Sequence, residues 1–112
     1  MKVKAYAIID LCKIKIGDKL IIEEGDPEFG VCEYLVEVTS VSSRYFDVKQ
    51  LAGNKNHHRL DFMSRLIEFE YRKSDGYPRG SGTSQYTRLY YPSVQAIVDE
   101  NANDYIEYEF FE

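Results

Sequence analysis

Apolar and polar side chains alternate along most of this chain, and this alternation constrains its fold more than any other feature of the sequence. The pattern is clearest in residues 3–9, 31–41, 45–50, 65–73 and 105–111. A period of two residues places the apolar side chains on one face of a strand. The connections are short, so no long crossover helix is available for a parallel sheet. We therefore predict an α+β, β-rich fold built on an antiparallel sheet of about seven strands.

Shorter segments complete this prediction. Residues 13–16 alternate and are predicted as a further strand. Gly17-Asp18 is predicted as a turn, because glycine tolerates a positive φ and aspartate bonds to its own backbone. Residues 23–30 and 74–84 are predicted as polar loops, because both contain glycine and proline.

One or two short helices are predicted beside the strands. Near residues 58–64, Leu60 and Met63 have helical spacing. Near residues 93–101, Ser93 is suited to cap the exposed backbone N–H groups of a helix, and the apolar residues that follow form one stripe. Both segments are too short to change the prediction of an antiparallel sheet.

One part of the sequence resembles a known architecture. Residues Lys15–Leu20 contain the Gly17-Asp18 turn and lead into the β-rich runs Tyr34–Val41 and Tyr45–Lys49. This order resembles the opening of small SH3-like barrels, in which a Gly-Asp turn feeds a strand and then a meander. The resemblance implies a small barrel-like sheet. The alternation itself is equally compatible with a strongly curved antiparallel sheet.

The length and composition predict a single domain over residues 1–112, because domains commonly have about this size. A hydrophobic content of 44% and a charged content of 29% exclude a disordered chain. No apolar run reaches the roughly 20 residues of a membrane-spanning helix. The apolar run Ala5–Ile9 is too short for a secretion signal, and Cys12 and Cys32 are expected to be free thiols. We therefore expect a cytoplasmic protein that does not contact a membrane.

The adjacent histidines His57 and His58 are the first candidates for an acid–base group or a metal site. Adjacent side chains do not face one point unless the backbone turns sharply, and metal sites use ligands at helical or hairpin spacing. The chain has no third histidine, and Cys12 and Cys32 form no C-x-x-C motif. The sequence therefore predicts no metal, no redox site and no cofactor.

Carboxylate pairs are the strongest candidates for hydrolytic chemistry. They are Glu23/Glu24, Glu68/Glu70 and Glu107/Glu109. Glycoside hydrolysis needs two carboxyl groups across a cleft, one of them with a raised pKa. The i, i+2 pairs are instead expected on the solvent face of strands, and no serine or cysteine has a base at a spacing typical of a nucleophile. The sequence predicts no catalytic residues and a protein that is not an enzyme.

Charge is distributed unevenly along the chain, which has a net charge of −5. Residues 1–43 contain 8 acids and 5 bases, residues 44–92 contain 5 acids and 9 bases, and residues 93–112 contain 6 acids and no base. One interpretation is that the acidic C-terminal segment pairs with the basic centre inside the fold, although surface ion pairs contribute little each. Two functional hypotheses compete with it.

The first hypothesis is a non-enzymatic protein that engages or inhibits another protein. An acidic, aromatic stripe in residues 99–112 would engage a basic groove by imitating the phosphates of nucleic acid. Small acidic proteins of this kind are familiar among phage-type accessory inhibitors of host machinery. Tyrosine and arginine in the loop 74–84 would add anchors, since both residue types dominate interface energies. The candidate partner-binding residues are Tyr77, Arg79, Asp99, Glu100, Asp104, Tyr105, Glu107, Glu109 and Glu112.

The alternative hypothesis is a nucleic-acid-binding module. The basic centre of the chain would contact phosphates, and interleaved tyrosines would stack on the bases of a single strand. The candidate residues are Arg44, Tyr45, Lys49, Lys55, Arg59, Arg65, Arg72, Arg79 and Arg88. The position of residues 93–112 relative to residues 44–92 in the fold distinguishes three interpretations: internal charge pairing, protein binding and nucleic-acid binding.

Overall fold

The alternating segments form one antiparallel sheet in the computed structural model, which describes residues 1–26, 30–53, 68–79, 87–92 and 105–110. The strands are β1 (Lys2–Ile8), β2 (Lys19–Asp26), β3 (Gly30–Val41), β4 (Tyr45–Gly53), β5 (Glu68–Arg72), β6 (Thr87–Pro92) and β7 (Ile106–Glu109). Their order in the sheet is β5-β4-β3-β2-β6-β1-β7. The predicted β-rich, antiparallel fold is therefore confirmed. The predicted helices at 58–64 and 93–101, and with them His57 and His58, lie outside the described residues.

The predicted loop at residues 23–30 is wrong in its first half. Strand β2 continues to Asp26, and its register with β3 runs from Lys19 opposite Glu37 to Asp26 opposite Gly30. Glycine and proline favoured a loop here, but the stretch also contains Glu23 and Glu24. They fit a strand because each accepts a hydrogen bond from a tyrosine hydroxyl elsewhere in the sheet.

The predicted strand at residues 13–16 is also wrong, because Lys13 ends a short 3₁₀ helix (Leu11–Lys13) and residues 14–16 form no strand. The Asp10 side chain caps that helix by accepting a hydrogen bond from the Cys12 backbone N–H at 3.0 Å. The Asp18 carboxylate accepts another from the Lys15 N–H at 3.1 Å. Such local bonds offer the backbone an alternative to pairing in a sheet. The Gly17 turn was predicted correctly, and its φ is +91°.

Both faces of the central strands are buried. Leu20 and Ile22 of β2 lie on one face, in a cluster with Phe46 of β4. Ile21, between them, lies on the other face with Tyr108 of β7. We call these the first and second core clusters. Alternate side chains of a strand point to opposite faces, so β2 contributes to both.

The β5 end of the sheet curls over the first cluster. The hydroxyl of Tyr71 in β5 donates to Glu24 Oε1 in β2 at 2.7 Å, although β4 and β3 lie between these strands. In a flat sheet, three strand spacings would separate the two backbones by about 14 Å. A Cβ built on Gly76, beyond β5, would lie 2.9 Å from Leu89 Cδ1 in β6. The curl therefore brings the end of β5 over the middle of the sheet.

The β7 end curls towards the opposite face. The hydroxyl of Tyr108 in β7 donates to Glu23 Oε2 in β2 at 2.5 Å, across β1 and β6. Because Glu23 and Glu24 point to opposite faces, the curvature reverses at β2. Among the described strands, β5 and β7 do not pair with each other, so this sheet is not closed into a barrel and the barrel detail of the prediction is not confirmed. No helix in the described ranges is long and apolar enough to cross a membrane.

Candidate binding surface

The turn between β3 and β4 presents one edge of the candidate site. The backbone N–H of Ser42 donates to the Tyr45 carbonyl at 2.8 Å, and the Tyr45 N–H donates to Ser42 Oγ at 3.1 Å. These two bonds close a tight turn whose tip residues, Ser43 and Arg44, are exposed. The turn therefore directs a basic side chain away from the sheet.

The segment after β5 folds back on that strand and forms the other edge. The Arg72 N–H donates to the Tyr77 carbonyl at 2.8 Å, and the Arg79 N–H donates to the Glu70 carbonyl at 2.9 Å. Gly76 allows the reversal with a φ of +79°. The first part of the predicted loop at 74–84 is thus a hydrogen-bonded turn. It places Tyr77 and Arg79 beside β5.

Tyrosine and arginine side chains alternate across this surface. The Arg79 guanidinium carbon lies 4.3 Å from the centre of the Tyr45 ring, and that of Arg72 lies 5.9 Å from the centre of the Tyr77 ring. Tyr45 and Arg72 are opposite each other in the register of β4 and β5. The four residues therefore form one continuous patch, here named the Tyr/Arg surface. Guanidinium groups over aromatic rings attract the electron-rich ring faces.

Carboxylates balance the two arginines of this surface. Arg79 Nη1 lies 2.7 Å from Glu70 Oε1, and this hydrogen bond raises the pKa of the Arg79 guanidinium. Arg72 Nη2 donates to Asp75 Oδ2 at 2.9 Å. Partial burial alone would raise the pKa of Asp75, but the bonds from Arg72 and the Tyr77 N–H outweigh it and hold this pKa below its ordinary value. Each guanidinium group therefore contacts both a carboxylate and a tyrosine ring.

A groove of about 510 Å³ opens beside the Tyr/Arg surface. Its lining residues are Cys12, Ser43, Arg44, Tyr45, Arg72, Lys73 and Ser74. They come from the 3₁₀ helix, the β3–β4 turn and the turn after β5, which are distant in the sequence. The Lys73 N–H donates to the Arg44 carbonyl at 2.8 Å and joins the two turns. Within the described part of the chain, the Arg44 side chain forms no ion pair.

The other basic candidates are not part of this site. Lys49 lies farther along β4 and pairs with Glu37 at 3.3 Å. Arg88 lies on β6, opposite Glu23 in the register with β2. The structure therefore brings together Arg44, Tyr45, Arg72 and Arg79 from the nucleic-acid candidates, together with Tyr77 from the partner-binding candidates. Lys55, Arg59 and Arg65 lie outside the described residues.

In the described part of the acidic C-terminal segment, Glu107 pairs with a lysine of β1. Lys2 Nζ lies 3.8 Å from Glu107 Oε1 across the β1–β7 pair. Lys4 Nζ lies 4.6 Å from the centre of the Tyr105 ring. Glu109 is exposed on the same strand as Glu107. Asp99, Glu100, Asp104 and Glu112 lie outside the described residues.

The carboxylate pairs offer no shared cleft at β2. Glu23 and Glu24 point to opposite faces, and each accepts a hydrogen bond from a different tyrosine. Burial, the hydrogen bond to Glu23 and the charge of that carboxylate raise the pKa of Tyr108 well above its ordinary value. No group of three or more metal-ligating side chains occurs among the described residues.

Some residues of the groove were not predicted from the sequence. Lys73 was counted in the basic centre but not singled out, and Ser43, Ser74 and Cys12 carried no signal of binding. The register of β4 and β5 joins the two turns, and the curl of the sheet brings the 3₁₀ helix with Cys12 beside them. Comparison of the chain with protein-family models, with curated proteins and with solved structures gives no match.

Proposed function

We propose that this chain is a non-enzymatic binding protein that engages a protein partner through the Tyr/Arg surface. The observation that carries the proposal is the pair of arginine–tyrosine contacts, Arg79 over Tyr45 and Arg72 over Tyr77, which the register of β4 and β5 places side by side. Tyrosine and arginine supply most of the hot spots of protein interfaces. Here the ion pairs with Glu70 and Asp75 favour the positions of the guanidinium groups beside the rings, which lowers the side-chain entropy lost on binding.

The local charge favours a protein over a polyanion. Glu70 and Asp75 lie among the arginines, and the whole chain carries a net charge of −5. A strand of nucleic acid would bring its repeated phosphates close to these carboxylates. A protein surface can instead offer both donors and acceptors to a patch of mixed charge.

The test is affinity capture followed by direct binding. The full chain serves as bait in an extract of its own cells, in parallel with Tyr45→Ala/Arg79→Ala and with the control Lys49→Ala. The partner that the wild-type chain captures is then purified and titrated against each of the three chains. We expect the double variant to lose binding and the control to retain it, since Lys49 shares β4 with Tyr45 but lies outside the surface. A partner that binds all three chains equally would overturn the proposal.

The acidic edge strand is proposed as a second contact, for a partner with a basic groove. Glu107 and Glu109 are exposed on β7, and they continue the acidic segment in which Asp99, Glu100, Asp104 and Glu112 lie. In this role the chain would act as an inhibitor that imitates nucleic acid, like phage-type accessory proteins. Replacing Glu107, Glu109 and Glu112 with lysine should weaken partner binding without unfolding the domain. Unchanged affinity of that triple variant for the partner would show that the acidic strand β7 is not a contact site.

Binding of single-stranded nucleic acid is the alternative function. It is favoured by exposed Arg44 beside the half-buried ring of Tyr45, because single strands combine phosphate contacts with base stacking. A gel shift with single-stranded DNA and RNA at low and high salt tests it. A complex that weakens steeply with salt and requires Arg44 would support this alternative. No shift at low salt would remove it.

The curvature of the sheet and the location of the protein are also part of the proposal. The contacts of Tyr71 with Glu24 and of Gly76 with Leu89 support a barrel-like, SH3-like curvature of the β5 half of the sheet. Cys12 and Cys32 are free thiols, which supports a cytoplasmic location. Labelling of the chain in its own cells tests the location.

A further inference from the structure

The groove beside the Tyr/Arg surface has a composition suited to a small anion. Three of its lining residues, Arg44, Arg72 and Lys73, are cationic, and none carries a carboxylate. Ser43 and Ser74 add hydroxyl groups from the two turns. The groove volume of about 510 Å³ lies within the range of ligand sites, which is roughly 300–1,000 Å³.

The three cations are not equivalent. Asp75 already holds the guanidinium of Arg72 at 2.9 Å. Among the described residues, Lys73 Nζ donates only to a neutral acceptor, the Ser42 carbonyl, at 3.3 Å. Arg44 forms no ion pair with any described residue. Two positive charges therefore remain uncompensated at the groove, and arginine in particular binds phosphate oxygens through paired N–H groups.

The limited extent of this positive charge favours one dianion over a chain of phosphates. At the edge of the groove Asp75 pairs with Arg72, and beyond it Glu70 pairs with Arg79. A single phosphate monoester carries a charge of about −1.5 to −2 at neutral pH. Its charge matches Arg44 and Lys73, whereas a second and third phosphate would meet carboxylates.

From these observations we infer that the groove binds one phosphate monoester, carried by a phosphorylated side chain of the protein partner. This inference rests on the proposed function, because the groove adjoins the Tyr/Arg surface and shares Tyr45 and Arg72 with it. A partner seated on that surface would place a neighbouring side chain at the groove. The cations would bind the phosphate oxygens, and the hydroxyls of Ser43 and Ser74 would donate to them.

The test uses the full chain labelled with ¹⁵N and four probes, none of which requires the partner. They are capped Gly-Xaa-Gly peptides with phosphoserine, phosphotyrosine or unmodified serine, and a short single-stranded oligonucleotide. Amide shifts of residues 42–45 and 72–74 report binding. We expect at least one phosphopeptide to bind at least tenfold tighter than the serine peptide. Comparison of the phosphoserine and phosphotyrosine peptides then identifies the phosphorylated side chain that the groove prefers. Arg44→Gln and Lys73→Gln should each weaken this binding several-fold, and the control Lys49→Gln should leave it unchanged.

Several results would overturn the inference. The first is that the serine peptide and both phosphopeptides shift the amide signals equally. The second is that Arg44→Gln and Lys73→Gln bind the phosphopeptides as tightly as the wild type does. The third is that the oligonucleotide binds more tightly than both phosphopeptides. The proposed function fails separately, when the captured partner binds equally to the wild type and to Tyr45→Ala/Arg79→Ala. If the partner requires the Tyr/Arg surface but phosphopeptides do not bind to the groove, the phosphate inference fails and the proposed function stands.

Discussion

Two adjacent glutamates of β2 bind tyrosines from opposite ends of the sheet. Glu24 is buried against the first core cluster and accepts from Tyr71, while Glu23 accepts from Tyr108 on the other face. A buried carboxylate is costly unless its oxygens are hydrogen-bonded. Each tyrosine therefore gives a hydrogen bond to a carboxylate that is buried, for Glu24, or half-buried, for Glu23, and links one end of the sheet to β2.

Tyr71→Phe removes the buried hydroxyl that bonds to Glu24. We expect the free energy of unfolding to fall by about 1–3 kcal/mol, the usual effect of removing a partner from a buried polar group. Urea denaturation at neutral pH measures this change. The control Tyr77→Phe removes the hydroxyl of a half-buried ring and should change the stability by less than about 0.5 kcal/mol. Equal effects of the two variants would show that the Tyr71–Glu24 bond does not stabilise the fold.

Tyr108 makes stability dependent on pH in the alkaline range. Burial and the bond to Glu23 raise its pKa in the folded chain, while in the unfolded chain the phenol titrates near its ordinary value of about 10. Above that pH the unfolded state loses a proton that the folded state retains, so the contribution of Tyr108 is complete below about pH 10 and declines as the pH rises. Urea denaturation between about pH 8 and pH 11 should show this decline in the wild type and a shallower one in Tyr108→Phe. Identical slopes would contradict the assignment.

At the scale of the element, the turn after β5 depends on one glycine. Gly76 combines a φ of +79° with a close approach to Leu89 of β6. This turn folds back along β5 and places Arg72, Tyr77 and Arg79 on one surface. Its conformation therefore links the packing of the first core cluster to the geometry of the candidate site.

Gly76→Ala should destabilise the fold more than the matched variant Gly17→Ala. Both glycines have a positive φ, for which a side chain costs about 1–2 kcal/mol. Only at Gly76 would the added Cβ meet another atom, Leu89 Cδ1 at 2.9 Å, whereas nothing lies within 4 Å of a Cβ at Gly17. We expect Gly76→Ala to lose at least about 1 kcal/mol more in thermal or urea unfolding. Equal losses of stability in the two variants would show that the Leu89 side chain can move away from the added Cβ without an energetic penalty.

The elements that the sequence predicted well are those in which alternation and local turn chemistry agree. In β3 and β4 the alternating residues face opposite sides and the Ser42-Ser43 turn joins them. The prediction failed at residues 13–16, where bonds from Asp10 and Asp18 compete with sheet pairing. It also failed at Glu23 and Glu24, because their tyrosine partners lie 85 and 47 residues away and no local pattern reveals them.

For the whole molecule, the sheet curls in opposite directions on either side of β2, and this shape decides which charges meet. The basic centre forms the Tyr/Arg surface and the groove at the β5 side, while the described carboxylates of the C-terminal segment lie on β7 at the opposite end of the strand order. The sequence identified Tyr45, Arg72, Tyr77 and Arg79 as candidates in two separate hypotheses. Their meeting in one patch follows from the register of β4 and β5, which the sequence does not specify.

The central claim is that the Tyr/Arg surface is the site at which a protein partner binds. Isothermal titration of the purified partner with wild type, Arg79→Ala and Lys49→Ala tests it most directly. The account predicts that Arg79→Ala costs about 2 kcal/mol or more of binding free energy, which is roughly 30-fold in Kd. Lys49→Ala, an exposed cation on the same strand as Tyr45, should change the binding free energy by less than about 0.5 kcal/mol. Equal affinities for all three chains would contradict the claim.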